Sequence, residues 1–309
     1  MDLITLRADA AGLTLAPAAG GSVARYWIDR GRASWELLRR WTTPQPGDPF
    51  ESAAFALAPY SNRIRAGRFS FRGRDVRLPL NRPPERHSIH GLGWQTAWRP
   101  LDVREQEATL QFRHDSGAWP WAFSATQHFG LEPSRLTVAL ALTNESDSAM
   151  PAGLGWHPYF PRTPRTQLTA DVQAMWLTDD EVMPTTLAAP PPEADLSRGV
   201  LVDAVALDNC FVGWRRRAVI EWPEADTRVV MTSEAPLDVL VAYTPRGRPF
   251  FCAEPVSHVT DAFNLAAEGR PDAGARTLEP GETLRAVVTL KVEQSARSSV
   301  EPAAPARAR

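Results

Sequence analysis

Two segments of this chain place a proton-moving group inside apolar sequence. In Gly153-Leu154-Gly155-Trp156-His157-Pro158-Tyr159-Phe160, aromatic rings surround a histidine, and a proline restricts the backbone just after it. An imidazole held rigidly among apolar groups has a shifted pKa, which suits an acid or a base. A core histidine bonded to backbone carries the same signature. In Phe250-Phe251-Cys252-Ala253-Glu254-Pro255-Val256-Ser257-His258, a carboxylate closes an otherwise apolar strand. Burying that charge is costly unless it is paired or at work, and the plain alternative is a strand end turned to water.

Three further segments carry groups that could face a ligand. Asp208, in Leu207-Asp208-Asn209-Cys210-Phe211, precedes an apolar strand and could accept hydrogen bonds from two vicinal hydroxyls, or make an ordinary turn. The polar run Pro59-Tyr60-Ser61-Asn62-Arg63-Ile64-Arg65 enters the strand-like Arg68–Phe71 and presents Arg63 either to a cleft or, as a hairpin turn, to solvent. In His87-Ser88-Ile89-His90-Gly91-Leu92-Gly93-Trp94, two glycines follow His90 and permit backbone to come close to a ligand; a satisfied loop histidine is the alternative. The spacing of His87 and His90 matches neither the i, i+4 of a helical zinc site nor the i, i+2 of a strand face, so no metal is expected there. Trp94 and Trp156 are candidates for stacking on a ligand, although most of the 11 tryptophans must be core.

These groups need a scaffold, and the patterning supplies strands. Leu136, Val138, Leu140 and Leu142 share one face of 136–142, as do Leu284, Ala286, Val288, Leu290 and Val292 of 284–292. Further strands are expected at 22–28, 108–113, 123–129, 227–232 and 238–243, separated by Pro, Gly and Asp clusters. With 28 prolines and 19 glycines scattered along the chain, no helix of ten residues or more is expected. The reading is an all-β chain: one antiparallel domain over 1–294, a sandwich of large sheets, with a surface loop at 188–195 and a disordered tail at 295–309.

Composition narrows the function classes. Across 309 residues, 34 Lys+Arg meet 36 Asp+Glu, so no nucleic-acid partner is expected. The amino terminus lacks the basic start and apolar stretch of a secretory signal, and no apolar run reaches the roughly 18 residues of a membrane span. Cys210 and Cys252 sit inside apolar runs and read as buried thiols in a reducing compartment. A soluble, cytoplasmic protein with no membrane attachment is expected.

Taken in order, these segments resemble the aldose 1-epimerase (galactose mutarotase) family. The resemblance runs through Asn62-Arg63, His90-Gly91, Trp156-His157-Pro158-Tyr159-Phe160, Leu207-Asp208-Asn209 and Cys252-Ala253-Glu254-Pro255. It implies a galactose mutarotase-like β-supersandwich and interconversion of the α and β anomers of a hexose, with a small-molecule sugar substrate as partner and no metal or organic cofactor. By the same resemblance Glu254 is the general base and His157 the general acid. His90 assists at the ring oxygen, and Arg63, Asp208 and Asn62 hold hydroxyls. The chain reads His-Gly-Leu-Gly-Trp where galactose mutarotases tend to have His-Gly-Gly, and Asn81-Arg82-Pro83-Pro84-Glu85-Arg86 replaces an Asn-rich lead-in. The run from Glu254 to Asn264 resembles a shorter bacterial branch, so the sugar stays open.

Opening a cyclic hemiacetal means taking the proton from the anomeric hydroxyl while protonating the ring oxygen, so an acceptor and a donor are expected to converge on one pyranose-sized hollow from opposite sides. With reference pKa values of ~4.3 for Glu and ~6.5 for His, an ionic Glu254–His157 pair is expected, stabilised by mutual attraction. Three other classes remain: an epimerase of hexose 6-phosphates, a non-catalytic sugar-binding protein on the same scaffold, and a metal-dependent enzyme using His87, His90 and His157.

Overall fold

The computed structural model describes residues 3–42 and 48–294; the tail at 295–309 lies outside the described residues. The period-two segments form one sheet. In Arg135–Asn144 alternate residues are buried, and Leu136, Val138, Leu140 and Leu142 are at most 3% exposed. Its neighbour Thr283–Glu293 buries Ala286, Val288 and Leu290. Leu284 and Val292, expected on the same face, are only partly covered near the strand ends. Antiparallel pairing sets Leu136 opposite Leu290 and Val138 opposite Val288, which keeps both apolar sets on one side. These two strands are the middle of a nine-stranded sheet.

The second sheet has eleven strands and is different in kind. At its centre Ala54–Leu57, Gly155–Pro161 and Phe250–Val256 lie side by side, with Val239–Tyr243 and Asp208–Val212 beyond. The three central strands are buried on both faces, which is why they read as unbroken apolar runs rather than alternating ones. Alternation still sorts their side chains. Trp156, Phe160, Phe251 and Ala253 join Leu136 and Val138 in the core between the sheets. Phe55, Leu57, Tyr159 and Cys252 belong to a second cluster on the outer face.

The one α-helix among the described residues, Ala262–Ala267, has six residues, in keeping with the proline and glycine content. The segment 188–195, expected wholly at the surface, ends a strand and forms a short 3-10 turn that buries Ala194. Both cysteines are free and buried. No helix among the described residues is long and apolar enough to cross a membrane.

Candidate active site

The outer face of the eleven-stranded sheet carries the acid-base candidates. Antiparallel pairing of Gly155 with Val256 and of Tyr159 with Cys252 sets His157 opposite Glu254, both on the face away from the core. Their side chains meet, with His157 Nε2 and Glu254 Oε1 3.3 Å apart, and both residues are buried. The sequence placed them on opposite sides of a hollow; instead they are cross-strand neighbours on one floor. Glu254 Oε2 and His157 Nδ1 have no hydrogen-bond partner among the described residues. Buried polar atoms left so are costly in a finished core and ordinary in a site that awaits a ligand.

Burial also sets their charge. It pushes the His157 imidazole down to about 3, with the Arg39 guanidinium adding to the effect. It holds the Glu254 carboxyl well above its usual range, reinforced by Asp208 and opposed by Arg63. Desolvation therefore outweighs the attraction that was expected to favour an ionic pair. The two groups hold one labile proton between them, and burial keeps it on the carboxyl. The ionic form has the same number of protons and differs only by transfer across the 3.3 Å contact.

A small two-stranded ribbon forms the wall above this floor. The two-residue strands Arg63–Ile64 and Ser88–Ile89 pair with Arg63 opposite Ile89. At its open end Asn62 and His90 both take left-handed backbone, with φ of 55° and 62°, a conformation that Asn and His tolerate better than most residues. They lock each other: His90 N donates to Asn62 O at 2.9 Å, and Asn62 N donates to His90 Nδ1 at 3.1 Å. Because Nδ1 accepts, the ring proton of His90 is on Nε2. Burial keeps this ring neutral, its pKa well below the ordinary value, so His90 is a neutral donor whose ring centroid lies 5.1 Å from that of His157.

Arg63 is gripped by three oxygens. Its Nε donates to Glu85 Oε2 at 3.0 Å, Nη1 to Asn62 Oδ1 at 3.3 Å and Nη2 to Asp208 Oδ2 at 3.5 Å. Asp208 starts its strand opposite Tyr243, and burial raises its carboxyl above the usual range despite Arg63. Asn62, Arg63, His90, His157, Asp208 and Glu254 thus line one cavity of about 260 Å³, small for a ligand pocket. Phe50, Arg82, Glu85, Ile89, Tyr159 and Tyr243 complete it. None of these was singled out from sequence. Tyr159 had a signal, two residues from His157 on the same strand face; Phe50 and Arg82 had none.

Other expected residues are placed differently. Trp156 is fully buried in the core between the sheets, one residue out of phase with His157, and cannot stack on a ligand. Trp94 lies behind the wall, donates its Nε1 to Ile89 O at 3.2 Å and packs edge-on against Phe50, so it supports the cavity without lining it. The glycine after His90 serves backbone, not ligand. Gly91 has φ +71°, and a Cβ there would lie 2.2 Å from Ala58 O. His258 accepts from Ser61 N at 3.1 Å and braces the residue next to Asn62 from behind.

A three-histidine metal site does not form. His87 Nδ1 and His90 Nδ1 each accept a backbone N–H, from Ala66 and Asn62. His157, Cys252 and Glu254 do bring one donor atom each within 4.8 Å of one another. Burial raises the Cys252 thiol and the Glu254 carboxyl well above their ordinary pKa values, so a cation there would have to displace a proton from each.

A sandwich of two large antiparallel sheets with a buried Glu–His pair on its outer floor has clear relatives. The aldose 1-epimerase family model matches residues 2–291, and the chain belongs to that family. It is 31% identical to the Escherichia coli (strain K12) protein YphB, of uncharacterised function, over 89% of this chain and 93% of that one. An aldose 1-epimerase candidate of known structure from Escherichia coli K12 superposes with a TM-score of 0.86 at 29% identity, covering 95% of this chain and 99% of the other. A galactose mutarotase-like protein from Clostridium acetobutylicum shares the fold, with a TM-score of 0.83 at 21% identity and 94% of each chain covered.

Proposed function

We propose that this chain is an aldose 1-epimerase that interconverts the α and β anomers of a hexose. The observation that carries the reading is the paired, buried Glu254 and His157, with unpartnered Oε2 and Nδ1, on the floor of a polar cavity. The anomeric hydroxyl oxygen and the ring oxygen are bonded to one carbon, so their acceptor and donor must be close neighbours, as cross-strand partners are. In the ionic form of the pair, Glu254 takes the anomeric proton while His157 gives one to the ring oxygen, and the C1–ring oxygen bond breaks to leave an open-chain aldehyde. The pair again carries one proton. Rotation about C1–C2 presents the other carbonyl face, and closure reverses both transfers with no cofactor and no net exchange of protons.

The neighbours have matching roles. His90 presents a neutral N–H toward the ring oxygen, which stabilises developing charge without competing for the proton. Arg63 and Asp208 position hydroxyls on the far side of the ring, and Arg63 also favours ionisation of Glu254. Polarimetric mutarotation over a panel of free aldoses and hexose 6-phosphates tests the reading. Glu254→Gln and His157→Asn are each expected to lower kcat roughly 10²- to 10⁴-fold with much of the binding kept. Wild-type rates in either variant exclude the assignment, and sugar binding without any catalysed mutarotation in the wild type makes the chain a binding protein.

A further inference from the structure

A second cavity, of about 1000 Å³, adjoins the first and shares Arg63, Arg82 and Glu85 with it. Its outer wall comes from the turn Asp179-Asp180-Glu181-Val182 and from His87. His87 is 2% exposed, and its Nδ1 accepts from Ala66 N at 3.1 Å, which leaves the ring proton on Nε2. That Nε2 has no hydrogen-bond partner among the described residues, and Glu181 Oε2 lies 3.5 Å from it. A buried donor left open beside a cavity calls for an acceptor from a ligand.

The lining tells which ligand. Four carboxylates, from Glu85, Asp179, Asp180 and Glu181, face three arginines, and each arginine is already paired: Arg63 with Glu85, Arg82 with Asp48 and Arg86 with Glu181. A phosphate or sulfonate would meet a net negative wall whose cations are taken. A neutral polyhydroxyl group finds in Asp180 a carboxylate outside those pairings for its O–H donors, and the His87 donor for its oxygens. Position agrees with chemistry. With C1 over Glu254 and His157, the far side of a pyranose faces Arg63, which the two cavities share, and the atom across the ring from C1 is C4.

Resting on the epimerase reading, we propose that the outer cavity is a subsite for the second ring of a reducing disaccharide joined 1→4, with His87 and Glu181 among its specificity-determining residues. The test has one arm with catalysis and one without. Mutarotation of glucose and galactose is compared with that of maltose, cellobiose and lactose, with glucose 6-phosphate as the anionic control. At least one disaccharide is expected to exceed its reducing-end monosaccharide in kcat/KM by about tenfold. Glu181→Ala and His87→Gln are expected to erase that excess while monosaccharide turnover, which also reports folding, stays within about twofold.

The second arm uses 1,5-anhydroglucitol and its 4-O-glycosyl derivatives, which cannot open, with affinity read by calorimetry. Tighter binding of a 4-O-glycosyl compound, lost in Glu181→Ala, supports the subsite even if no sugar is mutarotated, in which case only the catalytic reading falls. Monosaccharides turned over as well as any disaccharide, a preference for the 6-phosphate, or no gain in affinity from the second ring would each overturn the subsite.

Discussion

At the scale of single residues, the site is governed by desolvation. His157 and Glu254 share one proton from about 3, where the imidazole would take up a second, to the raised pKa of the carboxyl. kcat/KM, which reports the free enzyme, is therefore expected to show no limb from the His157 imidazole near ~6.5, that limb lying near about 3 instead. A limb centred on that ordinary histidine value would show that the pair is solvated. The same burial has a stability consequence of definite sign. The folded pKa of Glu254 lies above its unfolded value, so the contribution of this one group to stability falls as pH rises from about 4.5 through the folded pKa, opposite in sign to that of the buried histidines. Glu254→Gln keeps the shape and removes that loss. It should melt higher than the wild type at neutral pH, with the gap closing as pH falls to about 4.5, as scanning calorimetry over a pH series would show. Residue types along the chain announced the pair and its neighbours. What they could not announce was depth: the ionic form expected from reference pKa values assumed water that the eleven-stranded sheet and its loops exclude.

At the scale of elements, the wall of the site depends on a few strained positions. Asn62 and His90 hold each other through two reciprocal hydrogen bonds, and Gly91 lets the chain pass beside the Ala58 carbonyl, which accepts from Leu92 N and Gly93 N. Gly91→Ala is expected to cost at least ~1–2 kcal/mol from left-handed backbone alone, with the Cβ clash added. Because His90 is the next residue, KM should rise as well. A variant with unchanged melting and kinetics would show that this passage is loose. The strands at 136–142 and 284–292 were legible because one face is buried and the other is not. Phe250–Val256 was legible only as an apolar run, since both its faces are covered, and its outward Glu254 stood out for that reason alone. Trp156 was misread because an aromatic beside a catalytic candidate lies on the opposite face of a strand, which adjacency in sequence conceals.

At the scale of the whole molecule, two sheets enclose the core and the site rides outside it, braced by buried groups that take no part in chemistry. His258 is one, held by Ser61 N and Val259 O, with its pKa lowered to about 4 by burial. His90 and His157 are lowered too, so the folded state binds fewer protons than the unfolded chain below the ordinary histidine value. Stability should accordingly fall as pH drops from about 6.5. His258→Gln, which keeps an acceptor for Ser61, should flatten that slope down to about pH 4 in thermal melts; an unchanged slope would mean that His258 titrates normally.

The pairing of Gly155 with Val256 and of Tyr159 with Cys252 has a last consequence for divergence. Deleting or inserting a single residue in one of these strands would turn that strand's side chain inward while its partner stayed outward, so a change of one residue in either strand breaks the pair. The turns at 82–87 and 179–183 bear no such constraint. On the epimerase reading, sugar preference can change by remodelling those turns while Glu254 and His157 stay paired.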